Sequence, residues 1–292
     1  MFSGERASVL SYASITVSIP PDDARQIGRI QWPASLPGDP MRDFVTVSAD
    51  YLDKASFNAK LSSIAKATDR SKVLVFVHGY NNRFDEAVYR LAQIVQDSEA
   101  PSIPVLFSWP SKGLLGVPAY QDDYQSADDA RAALAQVLSA IALNRNVKEI
   151  TVLCHSMGCW PAIEALRSNE KIRNVLLVAP DVDADTFREV IRRIGNPKPR
   201  VALFVAKDDI ALRLSRSIWG GKQRLGNIDP DQEPYRSDFE RDGVMVFDVT
   251  SLQGEAHSRA FEDVGSVMGM IERRLAAGQQ LTDSGSALND AR

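Results

Sequence analysis

The spacing of apolar and polar residues changes near residue 54 of the chain. Before that point, short strand-like runs separated by the turns PPDD and PGDP predict strands at 13–19, 28–32 and 44–48. After it, apolar and β-branched runs alternate with longer amphipathic segments. The apolar runs predict six strands, at 72–78, 103–109, 149–155, 174–180, 200–206 and 243–249.

The amphipathic segments predict helices, at 54–67, 83–97, 120–143, 157–169, 184–194, 209–217 and 258–276. In the segment 120–143, apolar residues follow the spacing of one buried helix face, at Ala127, Ala130, Leu134, Val137, Leu138 and Ile141. Apolar strands that alternate with helices are typical of a parallel sheet covered on both faces. We therefore predict an α/β fold with a mostly parallel central sheet of about eight strands and an antiparallel N-terminal part.

The composition is that of an ordinary globular protein. The 292 residues are 44% apolar, carry a net charge of −4 and contain no repeat or linker rich in Pro, Gly or Ser. They predict one domain over residues 1–275, with a long segment at 210–242 that could form a flap, and a disordered tail at 276–292. Nothing in the sequence indicates an oligomeric state.

Two classes of partner are not expected from these residues. The arginines are interspersed with acidic residues rather than gathered in a basic stripe, so we expect no nucleic acid. The longest apolar runs are much shorter than the roughly 20 residues that span a bilayer, so we expect no transmembrane segment.

The segment VLCHSMG, residues 152–158, places Ser156 on a turn between a predicted strand and a predicted helix. It is close to the nucleophile elbow G-x-S-x-G, a sharp turn that presents a reactive serine. The first glycine is replaced by Cys154. A serine that only caps the following helix would explain the same residues equally well.

A reactive serine needs a histidine base, a carboxylate that orients the base, and N–H donors for the oxyanion. Of the three histidines, His155 lies inside the turn, where we expect its side chain to be directed away from the serine, and His78 lies upstream. This leaves His257, after the last predicted strand, as the base. We expect the backbone N–H groups of Tyr80, which follows a His-Gly pair, and Met157 to bind the oxyanion.

The carboxylate has several candidates, because aspartates follow two neighbouring predicted strands. Asp209, after the strand at 200–206, is the expected acid. Its neighbour Asp208, and Asp181 and Asp183 after the strand at 174–180, stay open as alternatives. Any aspartate at such a position can also cap the next helix.

The two cysteines, Cys154 and Cys159, lie on either side of the turn, and we expect them not to form a disulfide. With His155 they make a weak zinc motif, because a structural zinc site uses four ligands from paired motifs. The patterns of nucleotide-binding loops are missing from the sequence. We therefore expect neither a metal nor a cofactor.

Longer segments extend these motifs: FVHGYNNRFDEAVYR, LFSWPS, YQDDYQSA, LCHSMGCW, LLVAPDVDADTF and DDIALRLSRSIWGGKQRLG. Together they resemble a bacterial group of α/β-hydrolase-fold proteins known as a domain of unknown function, DUF900, over about residues 1–275. The resemblance implies an α/β-hydrolase fold and a Ser-Asp-His site at Ser156, Asp209 and His257. It does not imply a substrate.

Residues and resemblance together predict a serine hydrolase that cleaves small-molecule carboxylic esters through an acyl-enzyme. We expect Leu114, Leu115 and Trp219 to line a short acyl pocket, which favours short-chain esters. Peptidase, thioesterase or acyltransferase chemistry on the same three residues stays open. So does a hydrolase-fold protein that only binds a ligand.

The N-terminal residues MFSGERASVLSYA lack the apolar segment of a signal peptide. As written, the chain is therefore expected in the cytoplasm. Members of the group that it resembles often carry an upstream secretion or lipoprotein signal, and such a signal would place the protein in the periplasm or on a lipid anchor.

Overall fold

The computed structural model describes residues 1–98, 101–165, 170–194, 198–252 and 255–257. Its strands are β1 (Tyr12–Ser18), β2 (Val45–Leu52), β3 (Lys72–Val77), β4 (Ser102–Phe107), β5 (Glu149–His155), β6 (Ile172–Val178), β7 (Arg200–Val205) and β8 (Val244–Asp248). Its α-helices are α1 (Lys54–Ala67), α2 (Phe84–Ser98), α3 (Val117–Asp129), α4 (Arg131–Leu143), α5 (Cys159–Ala165), α6 (Ala184–Arg193), α7 (Ile210–Ile218) and α8 (Tyr235–Asp242). Two 3-10 turns lie at Ser156–Gly158 and Leu225–Asn227.

Six strands form one parallel sheet in the order β4-β3-β5-β6-β7-β8. Strands β1 and β2 form a separate antiparallel pair. The predicted α/β class, the parallel sheet and the antiparallel N-terminal part are confirmed, and within the described ranges the eight strands are divided between these two sheets.

The predicted strand at 28–32 is wrong. Gly28 has a φ of 77°, a left-handed conformation that interrupts a strand. Beyond it, the side chain of Gln31 donates to the main-chain oxygens of Ala24 and Arg42. Residues 29–32 therefore lie in irregular chain rather than in a strand, and the side-chain bonds of Gln31 hold this chain in place.

The central sheet has an apolar core on each face. Along β3, Val73, Val75 and Val77 belong to one core and Leu74 and Phe76 to the other, as the two-residue repeat of a strand requires. Helix α2 packs on the second core through its apolar face. Helices α1, α3, α4, α5, α6 and α8 contribute to the first core. Helices therefore cover both faces, as predicted.

Most predicted helices are confirmed, with changed boundaries. The predicted helix 120–143 is two helices, α3 and α4, which meet at Ala130. Its predicted apolar face is buried at all six positions. Helix α8 was not predicted, because its sequence YRSDFERD is polar apart from Tyr235 and the buried Phe239.

The predicted helix 157–169 begins as a 3-10 turn and continues as α5, and residues 166–169 lie outside the described residues. The predicted helix 258–276 and the predicted tail 276–292 also lie outside them. In the part of the chain that is described, no helix is both long and apolar enough to cross a bilayer.

The strand order places the candidate residues at one edge. Strand β3 has β4 on one side and β5 on the other, so the direction of winding reverses between β3 and β5. In parallel sheets, ligands bind at the carboxyl ends of the strands beside such a reversal. The loop that follows β3 and the turn at Ser156 that follows β5 therefore meet at this point.

Candidate active site

Ser156 lies on a strained turn between β5 and α5. Its φ is 50°, in the left-handed region that residues other than glycine rarely occupy. The loop after β6 holds this turn in place, because the backbone N–H of Asp181 donates to the main-chain oxygen of Ser156 over 3.0 Å. This is the geometry of a nucleophile elbow.

Two glycines allow the elbow to approach the loop after β3. A Cβ at Gly158 would lie only 2.1 Å from the main-chain oxygen of His78. A Cβ at Gly79 would lie 2.7 Å from His155 Nδ1 and 3.0 Å from Ser156 Cβ. Any larger residue at either glycine would push the two pieces of chain apart.

The prediction that the cysteines do not pair is wrong, because Cys154 and Cys159 form a disulfide. The elbow reverses the chain so sharply that their Cα atoms are 4.9 Å apart, inside the range that a disulfide spans. Both residues are buried. The bond also removes the two thiolates that a zinc site at this position would need.

Ser156, His257 and Asp209 form a continuous hydrogen-bonded series. His257 Nδ1 lies 2.7 Å from Asp209 Oδ2, and His257 Nε2 lies 2.9 Å from Ser156 Oγ. A carboxylate oxygen only accepts, so Nδ1 donates to Asp209 and Nε2 of the neutral ring accepts from the serine hydroxyl. The structure thus brings together the three residues that the sequence singled out.

Asp209 has two structural roles. Its Oδ1 accepts from the backbone N–H of Leu212 over 3.0 Å and caps α7, and its Oδ2 accepts from His257. The residue is completely buried. The helix cap fixes the carboxylate and leaves one oxygen for the histidine, so the cap and the candidate acid are the same residue.

The pKa of His257 is raised above its ordinary value. Burial of the ring lowers this pKa, whereas the hydrogen bond that the ring donates to Asp209 and the charge of that carboxylate raise it. The charges of Asp181 and Glu255 add to the effect. The site therefore stabilises the positively charged ring that forms when His257 takes a proton.

The other aspartates have different partners. Asp183 accepts from the backbone N–H of Thr186 and caps α6. Asp208 is exposed, and its main-chain oxygen accepts from Arg213. Asp181 is buried, and its carboxylate accepts from Tyr120, Ser215 and Arg224, each over 2.6 Å. The main-chain oxygen of Asp181 also accepts from Arg224.

His78 is a buried support of the loop after β3. Its Nδ1 donates to the oxygen of Gly79 over 3.0 Å, its Nε2 accepts from Ser108, and its ring stacks on Trp109 at 5.0 Å. Burial lowers its pKa to about 4, so the ring is neutral near pH 7. The main-chain oxygen of His78 accepts from the indole N–H of Trp109.

His155, which we expected to be directed away from the serine, lies beside the candidate base. Its Nε2 is 3.1 Å from the main-chain oxygen of His257, and the two rings are 4.9 Å apart. Burial lowers the pKa of His155 well below its ordinary value. Its ring does not take the position of a base for Ser156, which is held by His257.

The residues predicted to bind the oxyanion flank the serine. Met157 is the residue after Ser156 and is buried. Tyr80 follows Gly79, whose close approach to Ser156 is described above. The ring of Tyr80 lies 5.4 Å from the ring of Tyr120. The loop after β3 and the start of the 3-10 turn therefore both adjoin the serine.

The predicted pocket residues differ in their surroundings. Leu114 and Leu115 follow β4 and are 59% and 80% exposed, so both side chains lie largely in solvent. Trp219 follows α7, donates from its indole N–H to Tyr120 over 3.0 Å, and packs on Tyr124 with ring centres 4.6 Å apart. Trp219 therefore packs against other side chains, whereas the two leucines are exposed.

Part of the segment 210–242 is fastened to the core. The buried guanidinium of Arg224 binds Asp181, and the backbone N–H groups of Leu225 and Gly226 donate to the loop after β6. Sequence reasoning missed Arg224, Tyr120 and Ser215, because an arginine in a polar loop and a tyrosine on an amphipathic helix carry no signal of a buried partner. Whether the rest of 210–242 acts as a flap stays a prediction.

Comparison with known proteins identifies a family. A family model described as an alpha/beta hydrolase of unknown function (DUF900) matches residues 53–274. None of the curated proteins matches the chain.

Several solved structures are similar at low identity. An esterase of Pyrococcus furiosus is 16% identical, over 71% of this chain and 84% of that one, with a TM-score of 0.48. A lipase-esterase related protein from Clostridium acetobutylicum is 12% identical, over 70% and 95%, with a TM-score of 0.38. A proline iminopeptidase-related protein from Thermus thermophilus is 16% identical, over 71% and 90%, with a TM-score of 0.36. These values support no statement about activity.

Proposed function

Since the chain belongs to the DUF900 family of α/β hydrolases of unknown function, we propose that it is a serine hydrolase that cleaves carboxylic esters of small molecules. The observation that carries this proposal is the hydrogen-bonded series from Ser156 through His257 to Asp209, on a strained turn beside the winding reversal of the sheet. A serine that only capped a helix would need neither partner.

In the proposed reaction, Ser156 Oγ attacks the ester carbonyl carbon while its proton moves to His257 Nε2. Asp209 holds the ring in the Nδ1–H tautomer and stabilises its positive charge. The tetrahedral intermediate then collapses: the C–O bond to the alcohol breaks, and His257 gives its proton to the leaving oxygen. Water, deprotonated by His257, attacks the acyl-enzyme in the same way and releases the acid.

The negative charge on the intermediate requires donors that are already in place. We assign this role to the backbone N–H groups of Met157 and Tyr80, which come from the two pieces of chain that adjoin Ser156. Only proline removes a backbone N–H donor, and it also changes the backbone conformation. The position of the donors can be altered more mildly. A side chain at Gly79 would collide with His155 and Ser156, so we expect Gly79→Ala to impair the oxyanion site.

We further propose that the preferred acyl group is short. Tyr80, Tyr120 and Trp219 are linked by a ring contact and a hydrogen bond next to the elbow, and their bulk limits the space for an acyl chain. Leu114 and Leu115, which are exposed, would contact the outer part of the substrate. A panel of chromogenic esters of rising acyl length tests this, and an optimum at long chains would contradict it.

The central experiment compares wild type with Ser156→Ala and His257→Ala on a short-chain ester. We expect each substitution to lower kcat by on the order of 10³-fold or more, because the three residues act as a unit. Ser62→Ala, a change of the same size on helix α1, serves as the matched control and should retain activity. The same panel should include an amide and a thioester, and a preference for either would change the substrate class.

A covalent label provides a second readout that needs no substrate. A fluorophosphonate should modify Ser156 in the wild type and leave Ser156→Ala unlabelled. Equal hydrolysis by wild type and Ser156→Ala would refute the proposal.

A further inference from the structure

The histidine before the serine connects the elbow to the candidate base. Nε2 of His155 lies 3.1 Å from the main-chain oxygen of His257. A carbonyl oxygen only accepts, so the N–H must be on His155. We infer that His155 is a positioning residue, whose Nε2–H holds the main chain of His257 at the distance from Ser156 that proton transfer needs. The inference rests on the proposed function.

The ring of His155 is also confined from the side of β3. Gly79 approaches it so closely that a Cβ there would lie 2.7 Å from Nδ1. His155 itself is the last residue of β5, with extended backbone, and precedes Ser156 directly. One imidazole therefore touches the elbow, the residue that carries the base and the loop that leads to Tyr80.

This contact requires a proton on Nε2, which the charged ring and one of the two neutral tautomers carry, and burial of the ring favours the neutral form. Burial lowers the pKa of His155, and the charge of His257 lowers it further. Arg90 and His78 act in the same direction, while the hydrogen bond to the oxygen of His257 opposes them. Because His155 stays neutral, it supplies a hydrogen bond without placing a second positive charge beside His257 when that ring takes the serine proton.

The two partners of His257 constrain different parts of the residue. Asp209 binds the ring and sets its tautomer and rotation. His155 binds the main chain from which the ring projects. A fixed rotation alone does not set the distance between Nε2 and Ser156 Oγ, and an error of about 1 Å in that distance costs roughly 100-fold in rate.

Three substitutions at His155 separate this hydrogen bond from simple packing. His155→Phe keeps a ring and removes the donor, and we expect it to lower kcat on the order of 10- to 100-fold with little change in KM. In His155→Gln the amide nitrogen reaches the position of Nε2, so kcat should recover most of the loss. His155→Asn is polar but one carbon shorter, so it should be as slow as His155→Phe.

The outcome depends on the order of kcat among folded variants, with unfolding curves as the check on stability. Equal kcat for His155→Gln and His155→Asn, or wild-type kcat for His155→Phe, would overturn the inference. If wild type itself fails to hydrolyse esters, or Ser156→Ala matches it, the proposed function fails instead.

A measurement on the wild-type protein does not depend on either the variants or the reaction. ¹⁵N NMR of the imidazoles should show His155 neutral and protonated at Nε2 near neutral pH, because burial lowers its pKa well below the ordinary value. A neutral ring with its proton on Nδ1 would lack the donor on which the inference stands, and it would overturn the inference.

Discussion

A buried aspartate follows each of the neighbouring strands β6 and β7, and the two carboxylates have different partners. After β7, Asp209 accepts from the backbone of α7 and from His257. After β6, Asp181 accepts from Tyr120, Ser215 and Arg224. Local sequence makes both residues candidates for the same role, and their partners separate them.

The two carboxylates differ in whether a partner can gain a proton near neutral pH. The described partners of the Asp181 carboxylate are donors fixed by the fold: a buried guanidinium, a serine hydroxyl and a tyrosine whose pKa is raised by burial and by Asp181 itself. Asp209 instead shares one oxygen with an imidazole that can gain a proton. A buried carboxylate next to a permanent cation stabilises structure, and one next to a histidine can take part in proton transfer.

The two aspartates are nevertheless connected through Ser156 and His257. The backbone N–H of Asp181 donates to Ser156, and the charge of Asp181 contributes to the raised pKa of His257. Asp181 therefore holds the turn at Ser156 and acts on the ring of His257 at a distance, whereas Asp209 binds that ring directly. Three experiments separate these two kinds of influence.

The largest effect is expected at Asp209. In Asp209→Asn the amide oxygen can still cap α7, but the amide N–H₂ faces His257 and favours the wrong tautomer, so kcat should fall roughly 10³- to 10⁴-fold. Asp208→Asn removes the same charge one residue away, from an exposed side chain, and is the matched control. Steady-state kinetics on a short-chain ester measure both, and the reverse ranking would move the acid to Asp208.

A smaller effect, on stability rather than on chemistry, is expected at Asp181. Asp181→Asn leaves the buried guanidinium of Arg224 without its counter-charge, and we expect a loss of about 3–5 kcal/mol in the free energy of unfolding. Urea denaturation measures it. The double variant Asp181→Leu, Arg224→Leu removes both charges and should recover part of the loss.

The kinetics of the same variant sharpen the comparison. At a temperature where Asp181→Asn is folded, its kcat should fall far less than that of Asp209→Asn. A loss of kcat as large as that of Asp209→Asn, in folded protein, would mean that both carboxylates serve the reaction.

The smallest effect is a shift in pH dependence. His257 must be neutral to accept the serine proton, so kcat/KM should rise with pH through the pKa of His257 and be lost as the pH falls below it. Because that pKa is raised, the midpoint should lie above the ordinary histidine value of about 6.5. A pH profile of kcat/KM measures the midpoint.

Neutralising each carboxylate in turn should move this midpoint down. The shift should be larger for Asp209→Asn, which loses both a hydrogen bond and a charge, than for Asp181→Asn, which loses only a distant charge. Glu255→Gln gives a third comparison, because the charge of Glu255 raises this pKa less than that of Asp181 does. A midpoint that is insensitive to Asp209→Asn would show that another group titrates in the profile.

Much of the fold can be predicted because its signals are local. The continuous apolar run of β3 and the helical repeat of α4 are readable from short stretches of sequence, and the apolar residues that make up these two patterns are buried. The candidate site was also accessible, because a strand-turn-helix pattern isolates Ser156 and only three histidines compete for one role. A candidate base can be chosen by elimination here because the chain has so few histidines.

Aspartates are numerous, and for them local patterns leave several choices. Both Asp181 and Asp209 follow apolar strands, and both positions suit a helix cap. The choice between them depends on which side chain comes within hydrogen-bonding distance, across 48 residues for His257 and 43 for Arg224. No repeat in the intervening sequence encodes these distances.

The same limit applies even at short separation, where a turn changes direction. Cys154 and Cys159 are five residues apart, and the elbow between them brings their Cα atoms within 4.9 Å. His155 reaches the main chain of His257, 102 residues away, because the chain that follows β8 comes back to the carboxyl end of β5. Periodicity reports which face of an element is buried, whereas contacts between elements arise only when the sheet is assembled and its loops converge.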